Sequence, residues 1–256
     1  MNGRVERVDS VPDAFAGLVV DRLSRSGPDG SSLFLSGGGT ARECYAALAG
    51  LAPPAGPIAW DGVDIYLGDE RCVPPDHPDS NHRMITEVLL DAVGPVRSDH
   101  PMYVSGTPED AARAYQRDIA PLGRFDLVHL GLGPDGHCAS LFPGSDALAV
   151  DDPDRLVVAN RDPKANNPHD RITLTFGGIA RARLVVFTVS GPSKRDAFAA
   201  LTAGADLPAG RVNAEEVVWL VDAGAAGAAG ADRADRADRA AGADTAAPGG
   251  ASTASD

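Results

Sequence analysis

Residues 125–144 read FDLVHLGLGPDGHCASLFPG. The opening is apolar and extended: Phe125, Leu127, Val128 and Leu130 suit a buried strand. The run then breaks at Gly131, Gly133, Pro134 and Gly136. A strand that empties into a glycine-rich turn is where open α/β sheets bind their ligands. Asp135 and His137 stand at that turn. Imidazole is the side chain whose ordinary pKa lies nearest neutrality, so His137 is a candidate general base and Asp135 its partner. On the turn alone, an Asp that caps the next helix and a His that faces solvent account for the pair equally well. His129, inside the apolar run, reads as a packed core histidine rather than a second base.

The same strand-then-turn pattern recurs along the chain. Residues 33–40, LFLSGGGT, make a short strand that ends at Ser36 and three glycines, and a helical stretch follows at 41–49. Such a turn aims backbone N–H groups and the positive helix end at an anion, and Ser36 and Thr40 add hydroxyls. No G-K-[ST] follows, so it is not a Walker loop. Residues 63–68, VDIYLG, make another strand, which ends in Asp69, Glu70 and Arg71. Three charges there suit a ligand-binding edge, or a solvated strand end with a local ion pair. Residues 11–26 have helical periodicity, and Ser80 suits the N-cap of a helix through Leu90. Residues 101–104 read as a short strand and 105–120 as a helix capped by Thr107 or Ser105, with Pro108 near its start. Strands are expected at 155–159, 171–176, 184–190 and 217–221. Arg171 opens the second of these, where an ion pair at a strand end would account for it. Lys194 lies on the first turn of a helix, where a cation opposes the helix dipole and calls for an anion or some other reason to be there. The alternation of strands and helices gives an α/β fold.

Composition sets outer bounds. With 43% hydrophobic and 23% charged residues, the chain of 256 is an ordinary globular protein. It has no apolar run of membrane-spanning length, and residues 1–13 lack the apolar core of a signal peptide. Three cysteines, Cys44, Cys72 and Cys138, form no CxxC pair and fit a reducing cytoplasm. The net charge of −13 disfavours nucleic acid and anionic membranes, yet allows a small phosphorylated ligand held by a few converging cations. His77 and His82 lie near Cys72, but their spacing matches no usual zinc pattern, so no metal is expected.

The run GLGPDGHCASLFPG resembles the signature of the 6-phosphogluconolactonase family, G-x-G-x-D-G-H-x-A-S-L-F-P. Further matches are S-G-G-x-T-P at Ser36, Gly37, Gly38 and Thr40 (with Ala41 in place of the usual Pro), and D-E-R-x-V-P with S-N-x-x-M at Asp69, Glu70, Arg71, Val73, Pro74, Ser80, Asn81 and Met84. R-[IV]-T-L-T matches from Arg171, G-x-x-K at Gly191 and Lys194, and W-x-x-D at Trp219 and Asp222. The resemblance implies a mostly parallel sheet with helices on both faces, related to sugar-phosphate deaminase/isomerase folds. It implies hydrolysis of 6-phospho-D-glucono-1,5-lactone to 6-phosphogluconate in the oxidative pentose phosphate pathway, with His137 and Asp135 catalytic. Ser36, Gly37, Gly38, Thr40, Asp69, Arg71, Asn81, Gly136, Arg171 and Lys194 would hold the substrate, and the Gly136 turn would stabilise the oxyanion. No metal or organic cofactor is implied, and no Ser nucleophile, because G-x-S-x-G is absent. The partner is a small phosphorylated sugar lactone, and the protein a monomer or weak dimer. The related deaminases carry G-H-I-A-F-N-E-P, with a Glu five residues after the His; this chain has Phe142 there. A non-catalytic sugar-phosphate sensor would keep the anion-binding residues without needing His137.

Residues 1–222 are expected to form one α/β domain. From residue 223 the chain is almost wholly Ala, Gly, Asp and Arg, with ADR repeated three times. Such a segment cannot bury enough apolar surface to offset its ordering entropy, so 223–256 is expected to be a disordered tail.

Overall fold

Gly68 is the joint of the molecule. In the computed structural model, which describes residues 1–25, 30–51 and 56–227, its N–H donates to the Leu35 carbonyl and its carbonyl accepts from the Leu174 N–H. Those two partners belong to different sheets. The larger sheet contains β1 (Arg4–Arg7), β2 (Ser31–Leu35), β3 (Val63–Leu67), β5 (Ser98–Asp99), β6 (Phe125–Gly131), β9 (Ala182–Val189) and β10 (Glu216–Val221), in the order β1-β10-β9-β6-β2-β3-β5 and parallel throughout. The smaller contains β4 (Asp69–Arg71), β7 (Val157–Asn160) and β8 (Arg171–Leu174), antiparallel in the order β4-β8-β7. β2 and β3 are buried at every position, as a parallel sheet covered on both faces requires.

The helices follow their local signals. In α1 (Val11–Leu23), the Ser10 side chain accepts from the Asp13 N–H, and Val11, Phe15, Ala16, Val19 and Leu23 form the buried stripe. α2 (Gly39–Ala49) starts two residues earlier than the sequence suggests. α3 (Asn81–Ile85) is capped by Ser80 and runs into a wider π turn at Thr86–Leu90. α4 (Pro108–Ile119) takes Thr107, not Ser105, as its cap. α5 (Arg195–Thr202) follows a 3₁₀ turn at Pro192–Lys194, so Lys194 sits just before the α-helix.

Two sequence expectations need correction. Asp69, Glu70 and Arg71 are not the end of the preceding strand; after Gly68 they form β4, paired with β8. The strand expected at 101–104 lies at β5 instead, where Ser98 and Asp99 extend the edge beside β3. Of the tail, Ala223–Ala226 form a helical turn capped by Asp222, with Ala225 buried. The rest of that expectation, from residue 228, lies outside the described residues. No helix among the described residues is long and apolar enough to cross a membrane.

The chain adds β3 and β5 on one side of β2 and places β6, β9 and β10 on the other. The switch of direction falls between β2 and β6. Their register covers Leu33↔Leu127 and Phe34↔Val128, so the strands part before the glycine-rich turns that follow each. A crevice at that point, outside the carboxyl ends of the strands, is the expected ligand site.

Candidate active site

A cavity of about 270 Å³ opens in this crevice. Its lining includes Ser36, Gly37, Gly38 and Thr40 after β2, Asp69 and Arg71 on β4, Asn81 on α3, His137 after β6, Arg171 on β8 and Lys194 before α5. Ten of the twelve residues singled out in the sequence therefore share one wall or another of the same cavity. Asp135 and Gly136 do not line it.

Asp135 acts from behind. Its Oδ1 lies 2.6 Å from His137 Nδ1 and 3.2 Å from the His137 backbone N. An ionised carboxylate only accepts, so Nδ1 carries the proton and Nε2 keeps its lone pair. The ring is largely enclosed and meets the edge of Phe142, with centroids 5.0 Å apart. Gly133 makes this position possible: a Cβ there would fall 2.1 Å from His137 Nδ1. The turn is closed by Gly133 N–H to the His137 carbonyl and by Gly136 N–H to the Gly133 carbonyl. Gly136 has φ +84° and fulfils its conformational role. Its N–H donates to the Gly133 carbonyl within the turn, and Gly136 does not line the cavity.

The cations divide into two groups. Arg71 and Arg171 are direct cross-strand partners in the β4–β8 register. Like charges so placed repel. Arg171 is buried, and its Nη1 is the one buried side-chain nitrogen or oxygen among the described residues with no hydrogen-bond partner. Burial lowers its pKa and the Arg71 charge lowers it further, against Asp69 and Glu70. The alternative of an ion pair at the strand end is thus not what forms. Arg71 donates Nη1 to the Asp79 carbonyl at 2.7 Å. Lys194 belongs elsewhere: burial lowers its pKa, and the opposing charge is that of Asp135.

Neighbouring groups fix these walls. Glu70 is buried and accepts from the backbone N–H groups of Arg71, Asn81 and His82 and from the Ser80 hydroxyl, which ties β4 to the start of α3. Burial raises its pKa against those backbone bonds. Asn81 donates to the Asp69 carbonyl and fills the space where a Gly37 side chain would stand. Gly38 has φ +102°, and no side chain caps α2, which leaves its first-turn N–H groups for an anion. Sequence reading did not assign Ser140 or Thr188, which also line the cavity. Thr188 gave a signal, as the lone polar residue of LVVFTV within β9.

Three potential metal ligands do converge, but not Cys72, His77 and His82. They are His77, Asp79 and His169. His169 Nε2 pairs with Asp79 Oδ2 at 2.8 Å and His77 Nδ1 accepts from the Asp79 N–H, which makes this a hydrogen-bonded cluster beneath Arg71; His82 pairs with Asp99.

Residues 6–219 match the model of the family described as glucosamine-6-phosphate isomerases/6-phosphogluconolactonase. The chain belongs to this family. A Synechocystis relative named 6-phosphogluconolactonase is 41% identical over 207 residues, covering 75% of this chain and 81% of the relative. The crystal structure of 6-phosphogluconolactonase from Thermotoga maritima superposes with a TM-score of 0.74 at 31% identity, covering 85% of this chain and 98% of that one. A monomeric glucosamine-6-phosphate deaminase superposes with a TM-score of 0.73 at 22% identity, covering 87% and 98%, and shares the fold. Within the glucosamine-6-phosphate isomerase/6-phosphogluconolactonase family, the crevice between β2 and β6 is thus the natural place to seek the chemistry.

Proposed function

We propose that this chain hydrolyses 6-phospho-D-glucono-1,5-lactone to 6-phosphogluconate with His137 as general base. One observation carries the reading: a single cavity has an oriented imidazole on one wall and, on another, paired arginines with an unpartnered guanidinium nitrogen. A phosphate dianion between Arg71 and Arg171 relieves their repulsion and satisfies Nη1. The first turn of α2, with Ser36 and Thr40, supplies further donors. The other end of the sugar then meets His137.

Water placed between Nε2 and the lactone C1 gives its proton to Nε2 as its oxygen bonds to carbon. Asp135 stabilises the imidazolium that forms. Lys194, whose charge couples to Asp135, takes the oxyanion role that Gly136 cannot. On collapse, the C1–O bond of the ring breaks and the ring oxygen takes the proton from Nε2. The new carboxylic acid ionises to solvent. A positioned base contributes about 10²–10⁴-fold, enough for an activated ester.

Phe142 favours this reaction over deamination. It is buried against His137 where the deaminase loop has its Glu, so the second proton-transfer group is missing. The enzyme works in the cytoplasm on a small phosphorylated lactone, without nucleic acid, as a monomer or weak dimer. The test is turnover of freshly generated phosphogluconolactone, with spontaneous hydrolysis subtracted. The intact protein turns over, and His137→Asn loses about 100-fold or more in kcat while binding 6-phosphogluconate nearly as well. No turnover by the intact protein, or full turnover by His137→Asn, overturns the reading; product binding without turnover identifies a sensor.

A further inference from the structure

His129 is fully buried on β6. It belongs to a chain of hydrogen bonds whose directions can be worked out. Tyr45 Oη, from α2, has three polar neighbours: the Ser36 backbone N at 2.7 Å, the Ser36 carbonyl at 3.0 Å and His129 Nδ1 at 2.8 Å. A phenol has one proton and two lone pairs. The Ser36 N–H donates to it, and the Ser36 carbonyl can only accept, so that carbonyl takes the phenol proton. All three bonds then form only if Nδ1 carries a proton and donates. Burial pushes the His129 pKa down to about 3, so the ring is neutral. A neutral ring protonated at Nδ1 has a bare Nε2.

That bare nitrogen lies 2.9 Å from Thr188 Oγ1. The Thr188 hydroxyl must therefore spend its only proton inward, on His129. Thr188 lines the cavity with lone pairs to offer and no proton to give. It cannot bond a phosphate or carbonyl oxygen.

We infer that Thr188 reads a hydroxyl of the sugar ring, as an acceptor, and that His129 is a positioning residue that sets this polarity through Tyr45. The inference rests on the lactonase reading for the nature of the ligand. It gives the cavity a means of distinguishing a hydroxylated ring from a deoxy analogue.

Two measurements test it. Nitrogen-15 NMR of the free protein reports the His129 tautomer: protonation at Nδ1 is expected, and protonation at Nε2 overturns the inference. Kinetics then compare Thr188→Val and Thr188→Ser with the intact protein on the phosphorylated lactone and its three singly deoxygenated ring analogues. Thr188→Val should lose about 3- to 10-fold in kcat/KM on the parent lactone, and this loss should vanish on one analogue alone. Thr188→Ser should recover most of it. Equal losses on all four lactones, or none on the parent, overturn the inference while the lactonase reading stands. An intact protein that turns over none of them overturns the lactonase reading.

Discussion

Removing the guanidinium of residue 171 should separate phosphate binding from chemistry. Arg171 Nη1 is buried and unpartnered, so a phosphate oxygen that reaches it gains a charge-assisted hydrogen bond at no expense of an existing one. Such bonds contribute about 1.5–3 kcal/mol. At about 1.4 kcal/mol per decade, Arg171→Met should lower kcat/KM for 6-phosphogluconolactone by about 10- to 150-fold. The loss should appear mainly in KM, because the bond is the same in ground and transition states. Unphosphorylated gluconolactone offers nothing to Nη1, so its kcat/KM should change by less than about twofold. The assay is initial-rate hydrolysis of both lactones by both proteins, with spontaneous hydrolysis subtracted. Folding is a separate concern, since Arg171 also offsets the buried Asp69 and Glu70. Arg171→Lys keeps that charge but loses the fork, and it should restore only part of the selectivity. Equal losses on both lactones would refute the placement of phosphate between the arginines.

Lys194→Ala should behave oppositely, with kcat reduced about 10-fold or more on both lactones, because the residue is assigned to the oxyanion; initial rates on the pair decide. Gly133→Ala should abolish turnover, since a Cβ 2.1 Å from His137 Nδ1 must displace the ring, and a crystal structure of the variant would show the imidazole moved. Gly17 lies exposed in α1 with open space around its Cα, so Gly17→Ala should raise stability by about 0.5–1 kcal/mol in urea unfolding. Burial pushes the Asp222 carboxyl up, but bonds from Ser190 and from the Ala225 and Gly191 N–H groups outweigh it and hold its pKa below the usual value. A depressed folded pKa contributes stability above the unfolded value near 4 that is lost as pH falls through the folded one. Asp222→Asn should therefore lower Tm above about pH 4 and match the intact protein in stronger acid.

The readable parts of the sequence were those in which one segment carries both the fold signal and the chemistry. Phe125, Leu127, Val128 and Leu130 are apolar and buried, and the turn after them holds Asp135 and His137 within hydrogen-bond reach of each other, so strand and candidate base came from one reading. Arg171 opens its strand and Lys194 stands at the start of a helix, so each was legible from its own segment. β4 was not legible as a strand because Asp-Glu-Arg has no apolar alternation; it exists because Gly68 turns the chain onto β8. β1 and β5 are edge strands, and the two residues of β5 carry no pattern. That the Gly136 N–H is used inside its own turn was not legible, because a glycine's N–H looks free until the turn that consumes it is known. The polarity of Thr188 depends on Tyr45 and His129, 143 and 59 positions away by number, and no local signal encodes it.

The division of labour between the two sheets follows from what each can carry. A parallel strand buried on both faces has no room for a guanidinium along its length, so the large sheet presents its chemistry only at strand ends. The proposed base, His137, sits on the turn after β6 for that reason. The antiparallel sheet sets Arg71 and Arg171 opposite each other along the strands themselves. The two must then be held at a fixed spacing, or the cavity would not measure a sugar between base and phosphate. Ser140, three residues after His137, does this. Its hydroxyl donates to Asp69 Oδ2 at 2.7 Å, two residues before Arg71, and its N–H donates to Thr173 Oγ1 at 3.2 Å, two residues after Arg171. Asp69 and Thr173 are themselves cross-strand partners. One buried serine therefore ties the turn that carries His137 to both arginine-bearing strands, with Asp69 and Thr173 as the far ends of that tie.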